Sequence, residues 1–166
     1  MSASYKIPIS VLVVVYSADG QFLLMERAQQ PGYWQSVTGS LEPGEVPVQA
    51  ALRELAEETG LRIQRCEQAT EFQGVFPENV LVDHACSIEY EILPLWRDRY
   101  PPGVRVNTEH WFSCKLSVPQ WVTLSPREHR AQDWLTPESA SSRCFSPSNQ
   151  ALIDHINCRE FVIKLA

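Results

Sequence analysis

An α/β sandwich built around a mixed β-sheet is the fold class this sequence predicts. Three observations carry the expectation: two Val/Leu/Ile-rich runs separated by a tight-turn pair, an amphipathic helix pattern around residue 50, and strand-like segments beyond it that precede a last helix. With 166 residues, 44% hydrophobic and 20% charged, the chain is long enough for one domain with a real core. A single domain over residues 1–166 is therefore expected.

Residues 7–16 and 21–26 read as β-strands, joined through Asp19-Gly20, a dipeptide that suits a hairpin turn. Pro31-Gly32 breaks the chain, and Tyr33 to Thr38 leads into a Gly/Pro loop. A helix is expected over about 46–58, because Val48, Leu52 and Leu55 share one side of a 3.6-residue repeat, and Gly60 is placed to cap its end. Strands are expected near 61–67, 87–95 and 108–116. Ser125 to Trp134 is polar and resists assignment, and Gln68 to Ala85 reads as a long loop or an extra hairpin. Ser146-Pro147-Ser148 opens a final helix at about 147–157, with Pro just inside the start.

The formal charge is −6 and the isoelectric point about 5.2. A nucleic-acid polymer is thus excluded as the main partner, since it would need a basic surface. A small anionic substrate stays compatible, because a bound divalent cation can reverse the local field. The five cysteines form no C-x-x-C pair and read as reduced thiols of a cytoplasmic protein. The apolar run from Ile7 to Tyr16 is followed by a turn and another strand instead of a cleavage site. No segment is long enough to be a membrane helix.

The chemistry concentrates in residues 39–61, GSLEPGEVPVQAALRELAEETGL. On a helix, Glu54, Glu57 and Glu58 stand at i, i+3 and i+4 and so share a face, which the sequence leaves for solvent or a ligand. Like charges at that spacing repel, so a cation is expected among them. Hard oxygen donors suit Mg²⁺ or Mn²⁺, bound jointly by carboxylates and the phosphates of a substrate. Arg53, one turn before Glu57, is expected to orient that carboxylate. Glu45 is a helix-start residue favoured by the helix dipole, a metal ligand, or both.

Gly39, Glu45, Arg53-Glu54, Glu57-Glu58 and Gly60-Leu61 together reproduce the pattern G-x5-E-x7-R-E-[apolar]-x-E-E-x-G-[apolar]. This resembles the Nudix box of hydrolases that cut nucleoside diphosphates linked to another moiety. The resemblance implies a Nudix-type α/β/α sandwich with a central mixed sheet, and metal-dependent pyrophosphate chemistry at Glu54, Glu57 and Glu58. It also asks for a base, found in the box or on a distant loop. Glu128 is the candidate for a distant metal ligand or base, the alternative being a solvated loop residue. Lys6 and Arg27, at the ends of the first two strands, could reach phosphates or simply extend into solvent.

The flanking segments Tyr5-Lys6-x-Pro8-x-Ser10, Trp34 to Ser40, Glu89-Tyr90-Glu91-Ile92 and Arg99 to Phe112 are similar to the dihydroneopterin triphosphate pyrophosphatases of bacterial folate synthesis. That resemblance implies a small-molecule triphosphate substrate, Mg²⁺, and release of pyrophosphate to leave a monophosphate. The pterin ring offers a flat face for stacking, with Trp34, Tyr90 and Phe112 as possible neighbours or as core residues. Thr38, the chain from Tyr90 to Leu93, and Ser146 are added to the implied pocket. A pyrophosphatase of purine triphosphates is the alternative, and a non-catalytic ligand-binding module a more distant one. The oligomeric state is left open by the sequence.

Overall fold

The computed structural model describes residues 4–69 and 75–162. The first strand, β1 (Ile9–Ser17), runs through the middle of an eight-stranded mixed sheet. A turn at Asp19-Gly20, with Gly20 at φ +89°, returns the chain as β2 (Phe22–Arg27). Two short strands follow, β3 (Trp34–Gln35) on β2 and β4 (Val37–Ser40) on β1. The chain thus changes partner at Ser36.

The helix α1 (Pro47–Thr59) comes next, then β5 (Cys66–Gln68), β6 (Leu81–Glu91), a 3-10 turn at Pro94–Arg99, and β7 (Val106–Leu116). β7 lies parallel to β1 along its whole length and antiparallel to β6. After a loop, β8 (His129–Leu135) pairs antiparallel with β2. Two helices close the chain, α2 (Pro137–Arg143) and α3 (Pro147–Asn157), the latter running into a π-type turn at Cys158–Val162.

Alternation along β1 splits the core into two layers. Val11, Val13 and Val15 pack with Ala51 and Leu55 of α1. Leu12, Val14 and Tyr16 pack with Ala140 of α2 and with Leu152, Ile153 and Ile156 of α3. Since neighbouring side chains on a strand point to opposite faces, helices are required on both sides. The predicted α/β/α sandwich with a mixed sheet is the architecture observed.

Several boundaries differ from the sequence-based expectation. The strand expected at 61–67 shrinks to Cys66–Gln68, because Leu61 and Ile63 pack against the core beside α1 without pairing. The strand expected at 87–95 starts at Leu81 and ends at Glu91. A register shift between Asp83 and Ser87, with Ala85 at φ +50°, breaks the alternation that would have revealed it. Most of the unassigned 125–134 segment becomes β8. Of the stretch expected as loop or hairpin, residues 70–74 lie outside the described residues.

Candidate active site

The start of α1 is set by Pro47 in the first turn and by Gln49, whose Oε1 accepts the Val46 backbone N–H at 3.0 Å. Its end is set by Gly60, in the left-handed region at φ +75°, whose N–H reaches Ala56 O. Between these caps the helix carries its carboxylates toward β4 and β8. The expectation that this acidic face lies open holds for one residue of three: Glu57 is exposed, whereas Glu54 and Glu58 are only 7% and 2% exposed.

Arg53 is the hub of the helix start. Its Nε and Nη2 donate to the two oxygens of Glu45, both at 2.9 Å, its Nη1 to Glu54 Oε1 at 2.7 Å, and its Nη2 also to Ser40 O at 3.1 Å. Glu57, the partner expected from sequence, is the weaker contact at 3.4 Å. The bidentate pair is the stronger interaction, so Arg53 fixes the loop through Glu45 more than it fixes Glu57. Glu45 is thereby an anchor for Arg53, and its other neighbour is the Glu42 N–H.

Gly39 is explained by close approach. A Cβ built there would lie 1.9 Å from Glu54 Oε1, so the carboxylate occupies the place of a side chain. Burial pushes the Glu54 carboxyl up to about 7, against the opposing pull of Arg53.

Glu58 bridges two strands. Its Oε1 accepts the Thr38 N–H of β4 at 3.4 Å, and its Oε2 lies 2.6 Å from Nε2 of His129, the first residue of β8. Burial, then the neighbouring charge of Glu128, raises its carboxyl well above the usual range. Burial likewise lowers the His129 imidazole. Ligand atoms of Glu58, Glu128 and His129 all lie within 4.8 Å of one another. Two carboxylates and an imidazole at that separation, one of them a buried acid, fit a divalent cation. Glu54 and Glu57 stand outside this group, tied to Arg53.

A cavity of about 630 Å³ opens beside these residues. Lys6, Arg27, Thr38, Tyr90 and Ser146, all expected at the substrate, line it together with Glu58 and Glu128; Arg53, Glu54 and Glu57 do not. Burial and the nearby Arg99 charge lower the Lys6 ammonium and the Arg27 guanidinium, against the opposing pull of Glu128. Arg27 also lies over the Trp96 ring at 5.3 Å.

Ser146 has a second task, capping α3 by accepting the Asn149 N–H. Of the aromatic candidates only Tyr90 reaches the cavity. Phe112 is in the core and Trp34 packs under Arg143, while Trp96, Tyr100 and Phe145 form the wall. Arg99, Arg127, His129 and Glu109 also line it without having been singled out. His129 could not have been found by spacing, since its partner is 71 residues away.

The chain's residues 6–156 match the family model described as NUDIX domain. Dihydroneopterin triphosphate diphosphatase of Escherichia coli (strain K12) is 40% identical over 163 residues, spanning 98% of this chain and 97% of that protein. The protein of the same name from Haemophilus influenzae is 37% identical over 150 residues, 90% of this chain and 87% of its own. The solved structure of the E. coli dihydroneopterin triphosphate pyrophosphohydrolase superposes with a TM-score of 0.77 at 36% identity, covering 96% of this chain and 98% of that one.

Proposed function

The chain belongs to the Nudix family, and from that premise we propose that it hydrolyses 7,8-dihydroneopterin triphosphate to dihydroneopterin monophosphate and pyrophosphate, with Mg²⁺ as its metal, as a step of folate synthesis. The observation that carries this reading is the near full-length likeness to relatives bearing that activity in their name. The carboxylate group and the aromatic recess also share a single cavity.

In the reaction, water adds to phosphorus, one P–O–P anhydride bond breaks, and pyrophosphate leaves. The cation supplies charge neutralisation on the phosphates and a lowered pKa for the attacking water. Glu58 would hold it, with Glu54 and Glu57 in the acidic surround and Glu128 as a further ligand or as the base. Arg53 keeps Glu54 and the Glu45 loop in register, and His129 fixes Glu58 in one orientation.

Lys6 and Arg27 take the phosphate oxygens. Their depressed pKa values mark sites that gain from an arriving anion. As base, Glu128, exposed at the rim, would accept the proton of the attacking water. Thr38, Tyr90 and Ser146 contact the substrate between box and ring. The whole chain acts as one catalytic domain in the cytoplasm. No helix among the described residues is long and apolar enough to cross a membrane, and the described cysteines are unbridged.

The deciding measurement compares kcat/KM for dihydroneopterin triphosphate, 8-oxo-dGTP, dATP and ADP-ribose with Mg²⁺ present. The pterin compound is expected to lead. A lead of about tenfold or more by any other, roughly 1.4 kcal/mol of transition-state binding, removes the assignment.

A further inference from the structure

Glu109 lines the cavity and takes no part in the hydrolytic chemistry. It sits on β7 opposite Ser10 of β1, which in turn sits opposite Ser40 of β4. Directly paired residues project to the same face of a sheet, so Ser40, Ser10 and Glu109 form a row. Two strand spacings of about 4.8 Å put Glu109 about 10 Å along that row from the end of the box loop. The cavity that Glu58 and Glu128 line reaches Glu109 as well.

The carboxylate is built in with care. It is only 4% exposed. Tyr90 Oη donates to its Oε2 at 3.3 Å and Trp111 Nε1 to its Oε1 at 3.3 Å, and the Ser148 side chain adds a third bond. Tyr90 is itself pinned by Asn107, whose Nδ2 donates to Tyr90 Oη at 3.1 Å and to Ser10 Oγ at 2.7 Å.

The hydrogen-bond partners of Glu109 are neutral, and among the described residues no cation forms an ion pair with it. An acid buried without a cation costs stability that a Gln or Leu in its place would not cost. A carboxylate has about four acceptor positions, and three bonds, two of them long at 3.3 Å, leave room for more. The missing partner is one that brings donors.

We infer that Glu109 reads the edge of the substrate's heterocycle, its two oxygens accepting the adjacent ring N–H and exocyclic amine of a 2-amino-4-oxo-pyrimidine. The inference rests on the reading of the substrate as a pterin triphosphate and adds the residue that selects the ring. Guanine carries the same donor pair, so GTP fits the same recess. Adenine presents a bare ring nitrogen there, and its lone pair faces the carboxylate's. Tyr90, Tyr100, Trp96 and Phe145, which line the cavity, offer the aromatic surface on which such a ring is held.

The test measures kcat/KM with Mg²⁺ for dihydroneopterin triphosphate, GTP and ATP, in wild type and in Glu109→Gln. The Gln side chain keeps the shape and replaces one acceptor by a donor. The pterin-to-ATP and GTP-to-ATP ratios are both expected to fall by about 100-fold or more, the scale on which buried hydrogen-bonding sites discriminate. Binding of 7,8-dihydroneopterin, which lacks phosphates, is expected to weaken in parallel when followed by the fluorescence of the ring.

Glu109→Leu, which removes the charge without opening a void, is the second variant and is expected to lose the same ratios. Ratios within about threefold of wild type in a folded variant overturn the inference. A fall confined to the pterin, with GTP-to-ATP unchanged, overturns it too, because both rings share the edge. A wild type that prefers ATP to the pterin compound sinks the substrate reading itself, whereas a pterin-preferring wild type with an indifferent Glu109→Gln sinks only the role of Glu109.

Discussion

Gly39 and Glu54 share one volume: the Glu54 carboxylate lies where a side chain of residue 39 would begin, 1.9 Å from an added Cβ. Neither side can give way cheaply. Gly39 is held in β4 by its pairing with Val11, and Glu54 is held by Arg53. The backbone of residue 39 is not at positive φ, so the requirement for glycine here comes from space and not from torsion.

Gly39→Ala is therefore expected to push Glu54 out of place and lower kcat by about 100-fold or more, equivalent to at least about 2.7 kcal/mol of barrier. Steady-state kinetics together with a melting curve check it. A variant as active as wild type would show that Glu54 need not stand where it does.

Glu58→Gln is nearly isosteric and keeps a partner for both Thr38 and His129. Turnover is expected to drop by about two orders of magnitude or more, while the metal-free protein melts no earlier than wild type, because a buried acid becomes a neutral amide. Mg²⁺ at about 100 times its dissociation constant should stabilise wild type by about 2.7 kcal/mol and the variant by much less. Equal thermal shifts would detach Glu58 from the metal.

Arg53→Ala leaves Glu54 buried with no cation and frees Glu45, so a stability loss of about 3 kcal/mol is expected beside a fall in kcat. Arg53→Lys should not restore the loss, because a single ammonium cannot serve Glu45 in bidentate fashion while also reaching Glu54 and Ser40 O. Chemical denaturation and kinetics on both variants check this. Full recovery with Lys would mean that charge alone mattered.

Acid should destabilise the fold through a pair of histidines remote from the box. Burial, then the neighbouring His155, lowers the His84 imidazole to about 4, and its Nε2 is bonded to Ser113 Oγ at 2.8 Å. The unfolded chain titrates near 6.5 and so binds more protons than the native state between about 6.5 and 4. Stability is complete above that window and lost as pH falls through it. The urea midpoint is expected to decline from pH 7 to pH 5 less steeply in His84→Gln; identical slopes would refute the assignment.

The box helix α1 was legible in sequence because its signals are local. Carboxylate spacing, the Val48, Leu52 and Leu55 repeat and Gly60 all act within one turn or two, and β1 and β2 are continuous apolar runs. The rest depends on distant partners. β8 reads His-Arg-Ala-Gln-Asp-Trp-Leu, half-covered along most of its length, so it lacks clean alternation and is a strand only because β2 supplies the hydrogen bonds. α2 carries a legible start, Thr136 before Pro137, but only Ala140 is buried, too thin a stripe to declare a helix.

The site shows the same division. The box and the Lys6 and Arg27 cations stand beside strands that are easy to recognise, while His129 and Glu109 acquire their partners only through the sheet. Glu54 and Glu58 were misjudged in burial, because helical periodicity tells which residues share a face and not what covers it.

Asn149, the third residue of α3, accepts the Ser36 N–H at 2.8 Å through Oδ1 and donates to Ser36 Oγ at 2.9 Å through Nδ2. Ser36 is where the chain crosses from β2 to β1 on its way to Gly39. A ribosome that has made every box glutamate has thus not yet made the peg that seats the strand beneath them. A premature stop codon ahead of position 149 would keep every box glutamate yet remove both the side chain that ties Ser36 and the Leu152, Ile153 and Ile156 layer beneath β1.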